Sequence, residues 1–345
     1  MPSSQSTEPP RWGAFPSEQY LLQNWNSASE ETDTDQRRRL IRDFVRKLDA
    51  IPEEWDTVFD PDRRDQGMVV PPSEAQISTI LAPWRAPSLR LAAAKIGSAP
   101  PVDQLVWLRT HYARDRAARD RDDQNLRRWV ETARDEDPTA PCDTFEEAWS
   151  CLVLNNDRLF DVGEDWSAVF DLVPEILGPF ADAGQDSRRI PCDGAYDGAG
   201  SDTVATRRRR LRENLAVIDG YAARARFVDR EPWLKSLCVR TALVVVDERA
   251  FATGGLLRIV FVDPRGNEVR SSRSMYDDNW WTLKADLCGG GLGTNTWWEY
   301  DSDDDEEEAD DWHDGEKYRA GGEIGKVLYG VQDMLQEARL SAPDS

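Results

Sequence analysis

Two runs of β-branched and aliphatic residues, ALVVVD at 242–247 and LLRIVFVD at 256–263, constrain the fold more than any other feature of this chain. Such runs predict buried β-strands. Only the eight residues ERAFATGG separate them, whereas a crossover between parallel strands needs about a dozen or more. The two strands are therefore predicted to be antiparallel neighbours, with Asp247 and Asp263 at opposite edges of a sheet.

Further strand and helix patterns surround this pair of strands in the second half of the chain. RLFDV at 158–162 and RFVD at 226–229 are candidate strands. Helical patterns are present at 165–180, where Pro174 predicts a break, and at 204–225, 274–287 and 322–340. This mixture predicts an α/β domain over residues 143–340, with a mixed sheet of about four strands and flanking helices.

The first 141 residues carry helical patterns only. Residues 1–30 are rich in Ser, Pro and Gln, which predicts a disordered arm. Apolar residues at 40–51 follow at helical spacing, and the stretch 102–137 has apolar outer thirds around a middle of Arg and Asp. We therefore expect an all-helical region over residues 31–141, ahead of the α/β domain.

One short segment accounts for half of the net negative charge. The formal net charge is −22 at pH 7, and residues 299–314, which we term the acidic segment, contain eleven Asp and Glu and no Lys or Arg. Such a field repels nucleic acid and anionic membranes and attracts basic partners. We therefore expect a basic protein or peptide as partner, and neither nucleic acid nor a membrane. The composition also predicts a disordered insertion over about 299–318.

The cysteines and the apolar runs bear on the cellular compartment. The five cysteines form no CxxC pair, and an odd number in a chain of this length is typical of reduced, intracellular thiols. The N-terminal sequence MPSSQSTEPPRWG contains no apolar signal region. These features predict an intracellular protein, cytoplasmic or nuclear. The basic run from Arg207 to Arg212 has two interpretations, a nuclear-targeting signal or one face of a helix.

The glycine-rich stretch GGGLGT at 289–294 does not fit the known phosphate-binding motifs. A P-loop requires GxxxxGK[ST], and its lysine is missing here; a dinucleotide-binding pattern needs a third glycine where Thr296 stands. An EF-hand loop that begins at Asp301 would have Trp312 at its twelfth position, where that motif needs Glu. With only two histidines and no CxxC, no zinc site is predicted either.

Four short patterns occur in order between residues 158 and 287: LFDVGEDWSAVF, FVDREPW, the pair LVVVDERAF and IVFVDP, and YDDNWWTLKADL. Together they resemble an uncharacterised family of small α/β domains whose function is unknown. The resemblance covers less than half of the chain. It implies a fold for this region and no activity, because no catalytic residues come with it.

Aspartates that follow predicted strands suggest an enzymatic interpretation. Asp161, Asp229 and Asp247 each end such a strand, and ligands gather at the carboxyl ends of parallel strands in open α/β sheets. Converging carboxylates could hold Mg²⁺ in a hydrolase or phosphotransferase. Asp263 is left out because the hairpin places it at the other edge. Aspartate is also common in turns and caps after strands, which is the structural alternative.

The sequence favours a non-catalytic protein that uses no cofactor and engages a basic partner through the acidic segment. Paired tryptophans precede this segment, and an indole ring binds cations through its π face. An accessory role in a larger pathway is a further alternative. The residues predicted to bind the partner are Trp297, Trp298, Asp303, Asp304, Asp305, Glu306, Glu307 and Glu308.

Overall fold

The computed structural model describes residues 9–47, 51–52, 55, 58, 69, 71–98, 106–135, 152–177, 235, 238–239, 241–276 and 312–325. These residues fall into two compact units. The first unit contains the described residues up to 98 together with 167–177, and the second contains 106–166 together with 235–325. The chain therefore divides near residue 100, whereas the composition predicts a division near 142.

The first unit is helical. The α-helices described in it are α1 (Pro16–Asn24), α2 (Asp33–Arg46), α3 (Glu74–Gln76), which continues into a π-helical turn (Ile77–Leu81), and α4 (Pro87–Ser98). Two 3₁₀ turns follow at Trp166–Asp171, where the residues from 167 onward belong to this unit, and Pro174–Leu177. The apolar stripe of α2 is buried as its spacing predicts, so this prediction is confirmed.

Helix α1 lies inside the segment predicted to be a disordered arm. Six consecutive residues from Pro16 to Leu21 are buried, and this includes the charged Glu18, which is fully buried. The arm prediction is therefore wrong for this helix. The polar composition suggests disorder because it does not show that Glu18 pairs with buried arginines. Those arginines lie more than 60 residues away in sequence.

A network of buried charges forms the centre of the first unit. Glu18 accepts from Nε of Arg90 at 2.6 Å, and Oε2 of Glu175 lies 2.8 Å from Nη1 of Arg85. Nη2 of Arg85 also lies 3.4 Å from Glu18. The four side chains are at most 2% exposed. Two positive and two negative groups thus compensate one another where water is excluded.

The second unit contains a mixed sheet. Six strands are described: β1 (Val106–Arg109), β2 (Leu152–Leu154), β3 (Thr241–Val246), β4 (Leu256–Val262), β5 (Glu268–Met275) and β6 (His313–Asp314). Their order is β2-β1-β3-β4-β5-β6. Strand β1 is parallel to β2 and β3, and the other pairs are antiparallel. The described residues of this unit include the helices α5 (Arg116–Asp135), α6 (Asp157–Phe160) and α7 (Glu248–Thr253).

The predicted fold class is confirmed, with six strands where the sequence indicates about four. The hairpin prediction is also confirmed, because β3 and β4 pair in antiparallel register from Thr241 opposite Val262 to Val245 opposite Arg258. A short helix, α7, fills the connection between them. No helix in the described part of the chain is long and apolar enough to cross a membrane.

Strand β1 corrects the prediction that residues 31–141 are all helical. All four of its residues are buried, and it pairs with a strand on each side. A short apolar run that is buried on both faces has no periodicity that separates it from a helix. Its pairing with β3 joins segments more than 130 residues apart, and local sequence carries no sign of such a contact.

The RLFDV stretch is a helix rather than a strand. Helix α6 begins after Asn156, whose side-chain oxygen accepts from the amide of Arg158 at 3.0 Å. The helix predicted over 165–180, with a break near Pro174, consists up to residue 177 of the two 3₁₀ turns, and the second turn begins at Pro174. At the first place the Asn156 cap favours a helix over the strand that the apolar pattern suggests. At the second place Pro174 interrupts the helical pattern. The RFVD stretch and most of the predicted helices at 204–225, 274–287 and 322–340 lie outside the described residues.

Candidate functional site

Asp247 lies where the sequence places it, at the carboxyl end of β3. Its Oδ1 accepts from the amide of Ala250 at 3.0 Å and caps α7. Both carboxylate oxygens also face the guanidinium of Arg273 on β5 in a two-point ion pair. This carboxylate therefore pairs with Arg273 of the same chain and caps helix α7.

The charge state of Asp247 reflects these contacts. Burial raises the pKa of this carboxyl, but the hydrogen bonds from Arg273 and from the Ala250 amide, together with the positive charges of Arg273 and Arg258, hold the pKa below its usual 3.8. A carboxylate that is neutralised by a bidentate arginine has little charge left for a metal ion. The arrangement is typical of a structural ion pair.

Asp263 lies at the opposite edge of the sheet, as the hairpin predicts. It follows β4, and its oxygens accept four hydrogen bonds of 2.8 Å: from the amides of Arg265 and Asn267, the side chain of Asn267 and the hydroxyl of Tyr318. The residue is fully buried. Burial raises the pKa of Asp263, although these hydrogen bonds act in the lowering direction. Asp263 therefore organises the β4–β5 turn.

The other two predicted aspartates do not complete a cluster with Asp247. Asp161 is exposed and follows the last residue of α6, so it does not end a strand. Asp229 lies outside the described residues. Among the described residues, no group of three or more His, Cys, Asp or Glu side chains is arranged to hold a metal ion.

Arg109 is a residue at this edge that the sequence analysis does not single out. It ends β1, is 1% exposed, and donates from Nε to the carbonyl of His111 at 2.9 Å and from Nη1 to Asp123. Its Cζ lies 4.4 Å from the ring centre of Tyr112 and 4.9 Å from that of Phe251. Arg109 thus ties the end of β1 to α5 and α7. The only sequence signal for Arg109 is its position at the end of the apolar run VWL, shortly before the aromatic Tyr112.

The end of the acidic segment is the part that the structure describes. Trp312 is partly exposed; its ring centre lies 5.9 Å from that of Phe261, and the guanidinium of Arg270 lies 4.9 Å from the indole. His313 and Asp314 then form β6 against Arg270 and Ser271 of β5. The side chain of Asp314 forms ion pairs with Lys235 and, at 3.7 Å, with Nε of Arg270.

A tight turn follows Asp314. The amide of Gly315 donates to the carbonyl of Val269 at 3.1 Å, and a Cβ at this position would lie 1.8 Å from the carbonyl oxygen of Glu268. Tyr318 then enters the core beside Asp263 and Cys238. Trp312, Asp314, Gly315 and Tyr318 thus hold this stretch against the fold, which corrects this part of the predicted disordered insertion. The close packing at Gly315 and the burial of Tyr318 order this stretch. The many charged residues around them hide this signal in the sequence.

The environment of Cys238 is consistent with an inert thiol. The side chain is 2% exposed. Burial, together with the nearby Asp263, raises the pKa of this thiol to about 12. Since the thiolate is the reactive form, this cysteine is not activated as a nucleophile.

All of the residues predicted to bind a partner lie outside the described residues, as does the run from Arg207 to Arg212. The predicted partner-binding residues are Trp297, Trp298, Asp303, Asp304, Asp305, Glu306, Glu307 and Glu308. No protein-family model matches the chain, and no curated protein and no solved structure matches it either. The resemblance of residues 158–287 to an uncharacterised family of small α/β domains therefore stays a prediction.

Proposed function

We propose that this chain is a non-catalytic binding protein whose acidic segment engages a basic protein or peptide. The segment concentrates eleven of the acidic side chains of the chain within sixteen residues. At physiological ionic strength the field of such a segment extends about 8 Å, so it attracts cationic partners before contact.

The observation that carries this proposal is the attachment of the segment to the sheet. Trp312 packs on Phe261 and Arg270, and Asp314 is held by Lys235 and Arg270. The last residues of the acidic segment, 312–314, are therefore fixed on the sheet. Fixing one end of a charged segment raises its local concentration at one surface and lowers the entropy lost on binding.

The internal contacts of the strand-end aspartates also favour a binding function over a catalytic one. Asp247 is neutralised by Arg273, and Asp263 is buried at the opposite edge under four hydrogen bonds. Neither presents a free carboxylate to substrate-bound Mg²⁺. In the described part of the chain, no group of three or more His, Cys, Asp or Glu side chains supports the Mg²⁺-dependent alternative.

The test is affinity capture of partners by the intact protein and by a charge variant. In the variant, Asp303, Asp304 and Asp305 become Asn, and Glu306, Glu307 and Glu308 become Gln. Substitution is preferable to deletion of 299–314, because deletion would also remove Trp312 and Asp314, which pack in the fold. We expect the wild-type protein to enrich basic partners and the variant to lose them.

The matched control has six exposed acids neutralised elsewhere and thus the same net charge as the variant. Its positions are Glu30, Asp120, Asp161, Glu164, Glu248 and Glu323, all of which are exposed. We expect this control to keep the partners. Identical partners for the wild type and the segment variant would refute the role of the acidic segment.

A further inference from the structure

We propose that the carboxyl ends of β1 and β3 form a binding site for a small molecule that presents a carbonyl or carboxylate oxygen. The site lies within the second unit and includes no residue of the acidic segment, so it does not rest on the proposed function. Its recognition groups are Nη2 of Arg109 and Nε1 of Trp129. These are two buried hydrogen-bond donors for which the described part of the chain supplies no acceptor.

The position of the site in the sheet is one where α/β proteins bind ligands. Strands β1 and β3 are parallel neighbours, with Arg109 opposite Val246 at their carboxyl ends. From β1 the chain continues through α5 to β2 on one side, and from β3 it continues through α7 to β4 on the other. The two strands therefore connect in opposite directions. Such a topological switch point is where ligands bind in open α/β sheets.

Two buried side chains at this edge carry N–H groups without acceptors. The side chain of Arg109 is 0% exposed, and its Nε and Nη1 donate to the carbonyl of His111 and to Asp123. Its Nη2 has no hydrogen-bond partner among the described residues, and neither has Nε1 of Trp129, which is also 0% exposed. Most buried donors in native proteins are paired, because an unpaired one is unfavourable. These two donors therefore point to an acceptor from outside the chain.

The two side chains that carry these donors contact the same ring, that of Phe251 on α7. Cζ of Arg109 lies 4.9 Å from the centre of this ring, and the indole of Trp129 stacks on it with ring centres 5.6 Å apart. The imidazole of His111 lies 6.4 Å from the same centre. Phe251 and His111 are only partly buried. The cluster thus extends from the two buried donors to the surface, which gives a ligand access.

The groups around the donors define the chemistry of the ligand. Because both unpaired groups are donors, the ligand must supply an acceptor, and a guanidinium and an indole N–H both suit an sp² oxygen. The aromatic rings favour a flat apolar body next to that oxygen. Asp123 already pairs with Arg109, and Asp122 is a second carboxylate within the field of this arginine. A doubly charged phosphate is therefore disfavoured relative to a neutral carbonyl or a single carboxylate.

The experiment follows the indole N–H resonance of Trp129 by NMR of the full, ¹⁵N-labelled chain. Its loss in Trp129→Phe identifies the resonance. The probes are benzoate, which presents a carboxylate, benzamide, which presents a neutral carbonyl, and toluene, which has the same ring without an acceptor. Trp84 gives the control resonance, because its Nε1 already donates to the carbonyl of Asp171 at 2.8 Å in the first unit.

We expect benzoate, benzamide or both to move the Trp129 resonance downfield and to saturate, because the N–H gains an acceptor, and toluene not to do so. A response to one oxygen probe alone identifies which of the two chemistries the site takes. The Trp84 resonance should not move. Arg109→Lys keeps the charge and removes Nη2, so it should weaken binding of the active probe about three- to ten-fold. The matched control is Arg37→Lys, at a buried arginine beside an indole ring in the first unit, and it should bind as the wild type does.

Two results would overturn the proposal. One is a Trp129 resonance that moves with neither oxygen probe up to the solubility limit of each. The other is an equal response to toluene, because the aromatic rings alone would then account for binding. An Arg109→Lys variant that folds, as thermal unfolding shows, and binds like the wild type would overturn the role of Arg109. If either variant does not fold, sequential assignment of the wild type identifies the resonance and the probe titrations decide the proposal. None of these results bears on the binding of a basic partner by the acidic segment.

Discussion

The contacts of Asp247 determine how its ionisation contributes to the stability of the fold. Its oxygens pair with Arg273 and accept from the Ala250 amide, and these contacts hold its pKa below the usual 3.8 despite burial. A carboxyl whose pKa is lower in the folded state stabilises the fold fully above its unfolded pKa. That stabilisation is lost as the pH falls through the folded pKa.

Asp247→Asn should therefore lower the free energy of unfolding by about 1.5–3 kcal/mol near neutral pH, because Arg273 loses a charged partner while asparagine still caps α7. The difference from the wild type should shrink as the pH falls below about 4. Urea unfolding over a pH series measures both effects. Asp161→Asn, which alters an exposed carboxylate, is the control and should change little; a difference for Asp247→Asn that does not vary with pH would contradict the ion-pair assignment.

Gly315 illustrates a constraint that belongs to an element, the turn after β6. A Cβ there would meet the carbonyl oxygen of Glu268 at 1.8 Å, whereas a Cβ at Gly321 would have no heavy atom within 4 Å. Gly315→Ala should therefore cost about 3 kcal/mol or more, since backbone must move. Gly321→Ala should lie within about 0.5 kcal/mol of the wild type. Chemical denaturation measures both variants, and equal stabilities would show that the turn does not pack as described.

The buried charge network holds together the elements of the first unit. Arg85→Met should destabilise the protein by about 3–5 kcal/mol, because it leaves Glu18 and Glu175 buried without this cation. Arg39→Met removes an arginine that pairs with Glu31 on the surface and should change stability little. Thermal unfolding of the two variants compares them. A small effect of Arg85→Met would mean that the network is open to water.

The elements that the sequence predicts well are the local ones. The β3–β4 hairpin follows from an eight-residue connection, and α2 follows from an apolar stripe of helical period. Strand β1 and helix α1 are not predicted, because their burial comes from partners far away in sequence. At the candidate site, the separation of Asp247 from Asp263 is predictable from hairpin length. The pairing of Asp247 with Arg273 is not, because it depends on the register of β4 and β5.

At the scale of the whole molecule, charge is the dominant feature. Half of the net charge of −22 lies in residues 299–314, and the structure attaches the end of this segment to the edge strand β6. A binding role predicts strong dependence on ionic strength, because exposed charges are screened over about 8–10 Å at physiological salt. An uncharged binding surface would show little such dependence.

The most direct test of the account is calorimetric titration of the full chain with a basic peptide that contains both arginine and lysine, at low and at physiological salt. The comparison includes a variant with Asp303, Asp304 and Asp305 changed to Asn and a control with Glu30→Gln, Asp161→Asn and Glu164→Gln. We predict about ten-fold weaker binding at low salt for the first variant, with a smaller salt dependence, and wild-type binding for the control. Equal affinities and salt dependences in all three proteins would contradict the claim that the acidic segment binds a basic partner.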